Sequence, residues 1–168
     1  MPPQAATIDE AKLQKDTEYI MFEGGCLADL RNITSDELDA VYALAYTEYG
    51  QQHYDKAEKL FLFLCLYDHR QQKHWMGLGA CRQQLGKLKP AAQAYLLAGV
   101  LQSDDPTPAL QMAECLLALN ELDEAERVLK VALHTASQDP RHAKVKARAE
   151  ALLNATRARR QKAAGETH

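Results

Sequence analysis

Four cysteines and six histidines are the residues through which this 168-residue chain could hold a metal or attack a carbonyl. A zinc site needs thiolates or imidazoles at short, paired spacings. Cys26, Cys65, Cys81 and Cys115 form no such pair and stand in apolar surroundings. His69 and His74 are five apart, and the other histidines are isolated. Asp68-His69 could orient an imidazole as a base, but no motif sets a nucleophile beside it. The residues that could do chemistry are therefore expected to do none: no catalytic residue, no metal and no cofactor. The cysteines are expected to pack as small free hydrophobes in a reducing compartment.

A different chemistry, non-covalent recognition, is suggested by three tyrosines. Tyr42, Tyr46 and Tyr49 recur at helical spacing and form one stripe. Val41, Leu44 and Ala45 form a second stripe on the same helix, expected to face its partner helix. A helix apolar on two faces must be covered twice. The tyrosines either pack against an N-terminal helix or line a groove for a peptide, where Tyr offers rigid apolar area with a polar tip.

The elements that position them follow from self-similarity. "YDKAEKLFLFL", "LKPAAQAYLLA" and "LDEAERVLKVA" align at the interval of about 34 residues typical of tetratricopeptide repeats. Ala57, Ala91 and Ala125 coincide, as do Phe61, Tyr95 and Leu129, and then Leu64, Ala98 and Ala132. Upstream, Leu44-Ala45, Leu78-Gly79 and Met112-Ala113 coincide, and only the second copy has the repeat's Trp, Trp75. Small residues let the paired helices approach, and the larger ones fill the space toward the next pair. Cys81 and Cys115 are equivalent, which favours packing. Gly86 and Asn120 sit where a first helix ends in a left-handed turn. The first-helix positions matching the tyrosines are Met76, Ala80 and Gln83, then Leu110, Glu114 and Leu117.

The expected fold is all-α: three tetratricopeptide-like hairpins in a right-handed superhelical stack, with an N-terminal helical segment and a C-terminal capping helix. Residues 1–35 are expected to form the N-terminal segment. Its "TIDE" capping box opens a helix that Gly24-Gly25 breaks, and a short helix follows around Leu27 to Asn32. "TSDE" caps the first repeat helix. The repeats occupy 36–136, as units of about 38–71, 72–105 and 106–139, and 140–168 form the last helix and a basic tail.

Composition narrows the class. Hydrophobic residues make up 46% of the chain and the net charge is −3. No apolar run approaches the roughly 18 residues of a membrane span, and "MPPQAATIDEAKLQKD" lacks the layout of a secretory signal. A cytoplasmic location is expected. Between Arg141 and Lys162, eight basic residues are opposed in sequence only by Glu150. This reads as a solvated helix that frays into a tail rather than a nucleic-acid site, which would need aromatics or a known module.

"GGCLADLRNITSDELDAVYALAYTEY", "FLFLCLYDH", "MGLGACRQQLG" and "QMAECLLALNELDEAE" resemble signatures of the class II chaperones of bacterial type III secretion, the translocator chaperones. The resemblance covers roughly Glu18 to Leu133. It implies a non-enzymatic chaperone that holds a short extended segment of a hydrophobic translocator in its concave groove, keeping the client soluble and fit for export. It also implies self-association through the N-terminal segment and, in some members, assistance to a transcriptional activator. Tyr42, Tyr46 and Tyr49 carry over as groove residues, with His69 at the repeat junction. Cys26 stands where a hydroxyl residue is often found, and Lys73-His74-Trp75 departs from many members. The competing reading is a general scaffold adaptor.

Overall fold

Each helix pair is closed by a left-handed residue at the repeat interval. The computed structural model describes residues 9–165, and Gln52, Gly86 and Asn120 have φ of 62°, 72° and 60°. In each copy the next N–H reaches back five residues. His53 donates to the Glu48 carbonyl at 2.9 Å, Lys87 to Arg82 at 2.8 Å and Glu121 to Leu116 at 2.9 Å. This bond satisfies one of the carbonyls a helix end leaves free. The first copy makes the turn with Gln52, a residue type that does not advertise it.

Three helix pairs result: α3 (Ser35–Gly50) with α4 (Tyr54–Tyr67), α5 (Gln72–Gln84) with α6 (Leu88–Leu101), and α7 (Thr107–Ala118) with α8 (Leu122–Ala136). Ahead of them stand α1 (Glu10–Phe22) and α2 (Leu27–Arg31), and behind them α9 (Ala143–Gly165), entered through a 3-10 turn at Pro140–His142. Each repeat helix packs mainly on its neighbours in sequence. The Thr34 capping box is formed: Thr34 N–H donates to Glu37 at 2.8 Å and Glu37 N–H to Thr34 Oγ1 at 3.3 Å. Thr7 and Ile8 of the first box lie outside the described residues. The cap of α1 is Asp9, which accepts from Lys12 N–H at 3.1 Å.

The aligned positions are the core. Ala57, Ala91, Ala125, Leu64, Ala98, Ala132 and Leu129 are wholly buried, and Phe61 and Tyr95 nearly so. Gly79 shows why the small position must be small: a Cβ there would stand 2.7 Å from the Tyr95 ring. Cys81 and Cys115 are wholly buried free thiols. Burial pushes the first up to about 12 and the second to about 11.

Leu44 departs from expectation. It is half exposed, whereas its counterpart Leu78 is wholly buried in a cluster with Leu64 and Cys65. Leu78 is covered by the preceding pair, and Leu44 has no pair before it. α1 does not supply that cover. None of its residues is buried, and Leu13, Met21 and Phe22 are exposed.

What ties the N-terminal segment down is a polar hook at the α4–α5 turn. Arg70 Nη1 donates to the Gly24 carbonyl at 3.1 Å, and Nη2 lies 3.0 Å from Cys26 Sγ. The Arg70 side chain is held by Asp68, whose Oδ1 accepts from Nε at 2.8 Å. Burial alone would raise the Asp68 carboxyl. The hydrogen bonds from Arg70 and Gln71 outweigh it and hold the group below its usual range.

α9 is more than a solvated tail. Ala149, Leu153 and Thr156 form a buried seam, and the first two join the cluster of Leu129 and Ala132. Its basic residues find acids across the fold rather than along the sequence. Arg148 meets Glu114 at 3.0 Å, Arg157 meets Glu126 at 3.4 Å, and Arg160 pairs with Glu126 and with Asp123 at 2.7 Å. Bonds from Lys130, Arg160 and Arg157 hold the Glu126 carboxyl down to about 2, against burial.

Candidate binding groove

The first helices of the pairs, α3, α5 and α7, carry the positions matched to the tyrosines. Between α3 and α5 they build a cleft of about 380 Å³, lined by Tyr42, Tyr46, Tyr49, Met76, Ala80 and Phe61, with Gly77, Gln72 and Lys73 completing it. The walls are mostly aromatic and aliphatic, so the cleft suits an apolar side chain.

The tyrosines are not equally free. Tyr42 stacks on Tyr46 with ring centroids 6.5 Å apart, and its edge meets the Phe61 ring at 5.8 Å. Tyr49 meets Tyr54 at 5.3 Å, and burial pushes its phenol upward. The partner helix α4 thus supports two members of the stripe that sequence reasoning left uncovered. Tyr46 stays 66% exposed, which makes it the ring a ligand could cover most fully. The rings meet α4 and α5 rather than α1.

Phe61 reaches the cleft because of a glycine. A Cβ on Gly77 would stand 2.2 Å from the Phe61 ring. Gly77 was hidden in sequence beside the more familiar Leu78-Gly79, although glycine inside a helix is itself a sign of close packing.

The other expected groove positions do not line this cleft. Gln83 accepts from the Tyr95 hydroxyl at 2.8 Å. Leu110 is buried in the cluster of α7, α8 and α9, and Leu117 packs on it half-buried. Glu114 is bound by Arg148. His69 stands in the α4–α5 turn, where its carbonyl accepts from Trp75 Nε1 at 2.8 Å. Further apolar space exists outside this seam: a cleft of about 390 Å³ between α6, α7 and α8, lined by Leu96, Val100, Met112 and Val131.

Among the described residues, no helix is long and apolar enough to cross a membrane. Tetratricopeptide repeat models match residues 38–70 and 90–149. The chain is 33% identical to low calcium response locus protein H of Yersinia pseudotuberculosis over 94% of each chain. In structure it resembles a type III secretion complex from Aeromonas hydrophila, with a TM-score of 0.83, 33% identity, and coverage of 88% of this chain and 98% of that one. It also resembles the translocator chaperone SycD of Yersinia enterocolitica solved with a peptide of the translocator YopD. That match has a TM-score of 0.72 and 34% identity, covering 76% of this chain and 98% of that one. SycD has been solved as an alternative dimer as well. With a full-length relative at this identity and a matching fold, the chain belongs to the tetratricopeptide-repeat family of type III secretion translocator chaperones.

Proposed function

We propose that this protein binds a hydrophobic translocator of a type III secretion system by taking a short extended segment of it along the α3–α5 seam. The client is thereby kept soluble and fit for export. The observation that carries this reading is the aromatic cleft with Tyr46 exposed at its mouth. It supplies rigid apolar area at small entropy cost, as peptide platforms do. The SycD–YopD peptide complex supports the same mode of action. The groove residues are Tyr42, Tyr46, Tyr49, Met76 and Ala80, with Phe61 and Gly77 added. The protein acts by binding, without a chemical step, and works in the bacterial cytoplasm, where an unexported client is found.

Residues 1–35 form a self-association arm in this reading, 36–136 the binding repeats, and 140–168 the terminal cap. The arm is supported by α1, which keeps Leu13, Met21 and Phe22 exposed, and by the half-exposed Leu44 of the first pair. Apolar surface of this kind calls for a second protein surface, and the alternative SycD dimer supports a second copy.

Co-expression with candidate translocators, followed by size-exclusion chromatography, tests the reading. A stable co-eluting complex is expected with a client bearing apolar membrane-spanning segments, and failure to retain any such client refutes it. Deleting the residues before Gly24 should shift the free protein toward monomer in sedimentation velocity. Identical sedimentation of intact and truncated chains would rule out the arm.

A further inference from the structure

Past Tyr42, toward the N-terminal ends of α3 and α5, the seam opens into a second cleft of about 230 Å³ with a different character. Leu38 is its apolar member, and Ser35, Asp39, Gln71, Lys73 and His74 bring polar groups to it. Lys73 lines both clefts, so the two are neighbours along one track.

His74 is the unusual member. It is 1% exposed, and its Nδ1 lies 3.0 Å from the Asp68 carbonyl. A carbonyl can only accept, so Nδ1 carries the proton and Nε2 is left with a lone pair. Nε2 is buried and finds no hydrogen-bond partner among the described residues. Burial, reinforced by the nearby Lys73, keeps the ring below its usual range, so it is neutral at pH 7. A buried acceptor without a donor is costly, and a partner that supplies the donor recovers that cost.

Lys73, on the wall the two clefts share, is held lightly. Lys73 Nζ bonds Asp39 at 2.7 Å and lies 4.8 Å from the centre of the Tyr42 ring. Both members of the ion pair are substantially exposed, and such pairs are weak ties. Swinging the lysine aside requires only side-chain rotation.

Resting on the reading of the seam as a client groove, we infer that this polar cleft is a second subsite. In it His74 Nε2 accepts a hydrogen bond from a neutral donor side chain of the client (Ser, Thr, Asn or Gln), close along the segment to the apolar residue that fills the tyrosine cleft. A cationic side chain is disfavoured, because the Lys73 ammonium lines both clefts and stays close by when its side chain rotates. The His74 subsite adds selectivity that an apolar cleft alone lacks, since a site with a buried acceptor rejects a ligand that brings no donor.

The test is a selection from a library of random short peptides carrying one fixed leucine, displayed on phage, against the intact protein and against His74→Phe. The intact protein should enrich Ser, Thr, Asn or Gln at one fixed offset from the leucine. Replacing that donor in a selected synthetic peptide with an apolar residue of similar size should cost about tenfold in affinity. On His74→Phe the offset preference should vanish and the replacement should cost nothing, while the leucine is still required. Should His74→Phe fail to fold, the imidazole nitrogen resonances of the intact protein decide. Nε2 should resonate as an unprotonated nitrogen and move upfield when the selected peptide binds. An offset preference that persists in His74→Phe, or an Nε2 resonance unmoved by the peptide, overturns the inference. So does a selection with no donor position whose peptides lose binding when their leucine is replaced by alanine, which leaves the groove itself standing. Selected peptides that bind equally well with that leucine replaced by alanine overturn the groove reading and this subsite with it.

Discussion

A Cβ placed on Gly77 of α5 would lie 2.2 Å from Cε1 of the Phe61 ring of α4. No real side chain tolerates that distance, so the ring owes its position to the missing methyl. Phe61 in turn backs Tyr42 at 5.8 Å and lines the cleft itself. Gly77→Ala should therefore displace Phe61 and distort the groove. We expect a loss of about 1–3 kcal/mol in stability, the usual cost of an added methylene in a packed site, together with weaker client binding. Urea denaturation and client pull-down on the same variant check both. Unchanged stability would mean that the ring has room the structure does not give it.

The repeat register makes a second prediction far from the groove. Ala91 is wholly buried where α6 meets its neighbours. Ala91→Leu should overpack this contact and cost about 1–3 kcal/mol. An unchanged thermal midpoint would show that the register is wrong.

Acid should loosen α9 first on its polar side. The Glu126 carboxyl is held at about 2 in the folded protein, against 4.5 for an ordinary glutamate. A carboxylate lowered on folding contributes stability that is fully present above its unfolded value and lost as pH falls through its folded value. The contribution is therefore complete at neutral pH and declines between about 4.5 and 2. Glu126→Gln should be less stable than the parent at pH 7, and the difference should shrink across that window. Amide exchange along α9 as a function of pH reads this directly. A difference that stays constant down to pH 2 would contradict the clamp of Lys130, Arg157 and Arg160.

What the sequence made legible was what repetition writes down. Ala57, Ala91 and Ala125 coincide because each fills the same close approach, and the structure buries all of them. Departures cluster where the repeat has no neighbour or where distant side chains meet. Leu44 matches the buried Leu78, yet it is exposed because no helix pair packs ahead of its own among the described residues. Gln52 turns left-handed through its place in the register and not through its residue type. Arg70 and Cys26 are 44 positions apart, and nothing local signals their contact. The tyrosine spacing gave the stripe, but the support of Tyr42 by Phe61 and of Tyr49 by Tyr54 depends on how α4 crosses α3. The basic run of α9 looked unopposed because its acids lie on α7 and α8.

Tyr46 gives the most direct test of the groove. It is the most exposed ring of the stripe and holds up nothing beneath it except its stacking on Tyr42. Tyr46→Ala should leave helicity and thermal midpoint nearly unchanged. Affinity for a client that co-elutes with the parent protein, measured by titration calorimetry, should fall about thirtyfold, which corresponds to roughly 2 kcal/mol for a true anchor. A folded Tyr46→Ala protein that binds the same client at full strength would contradict the groove.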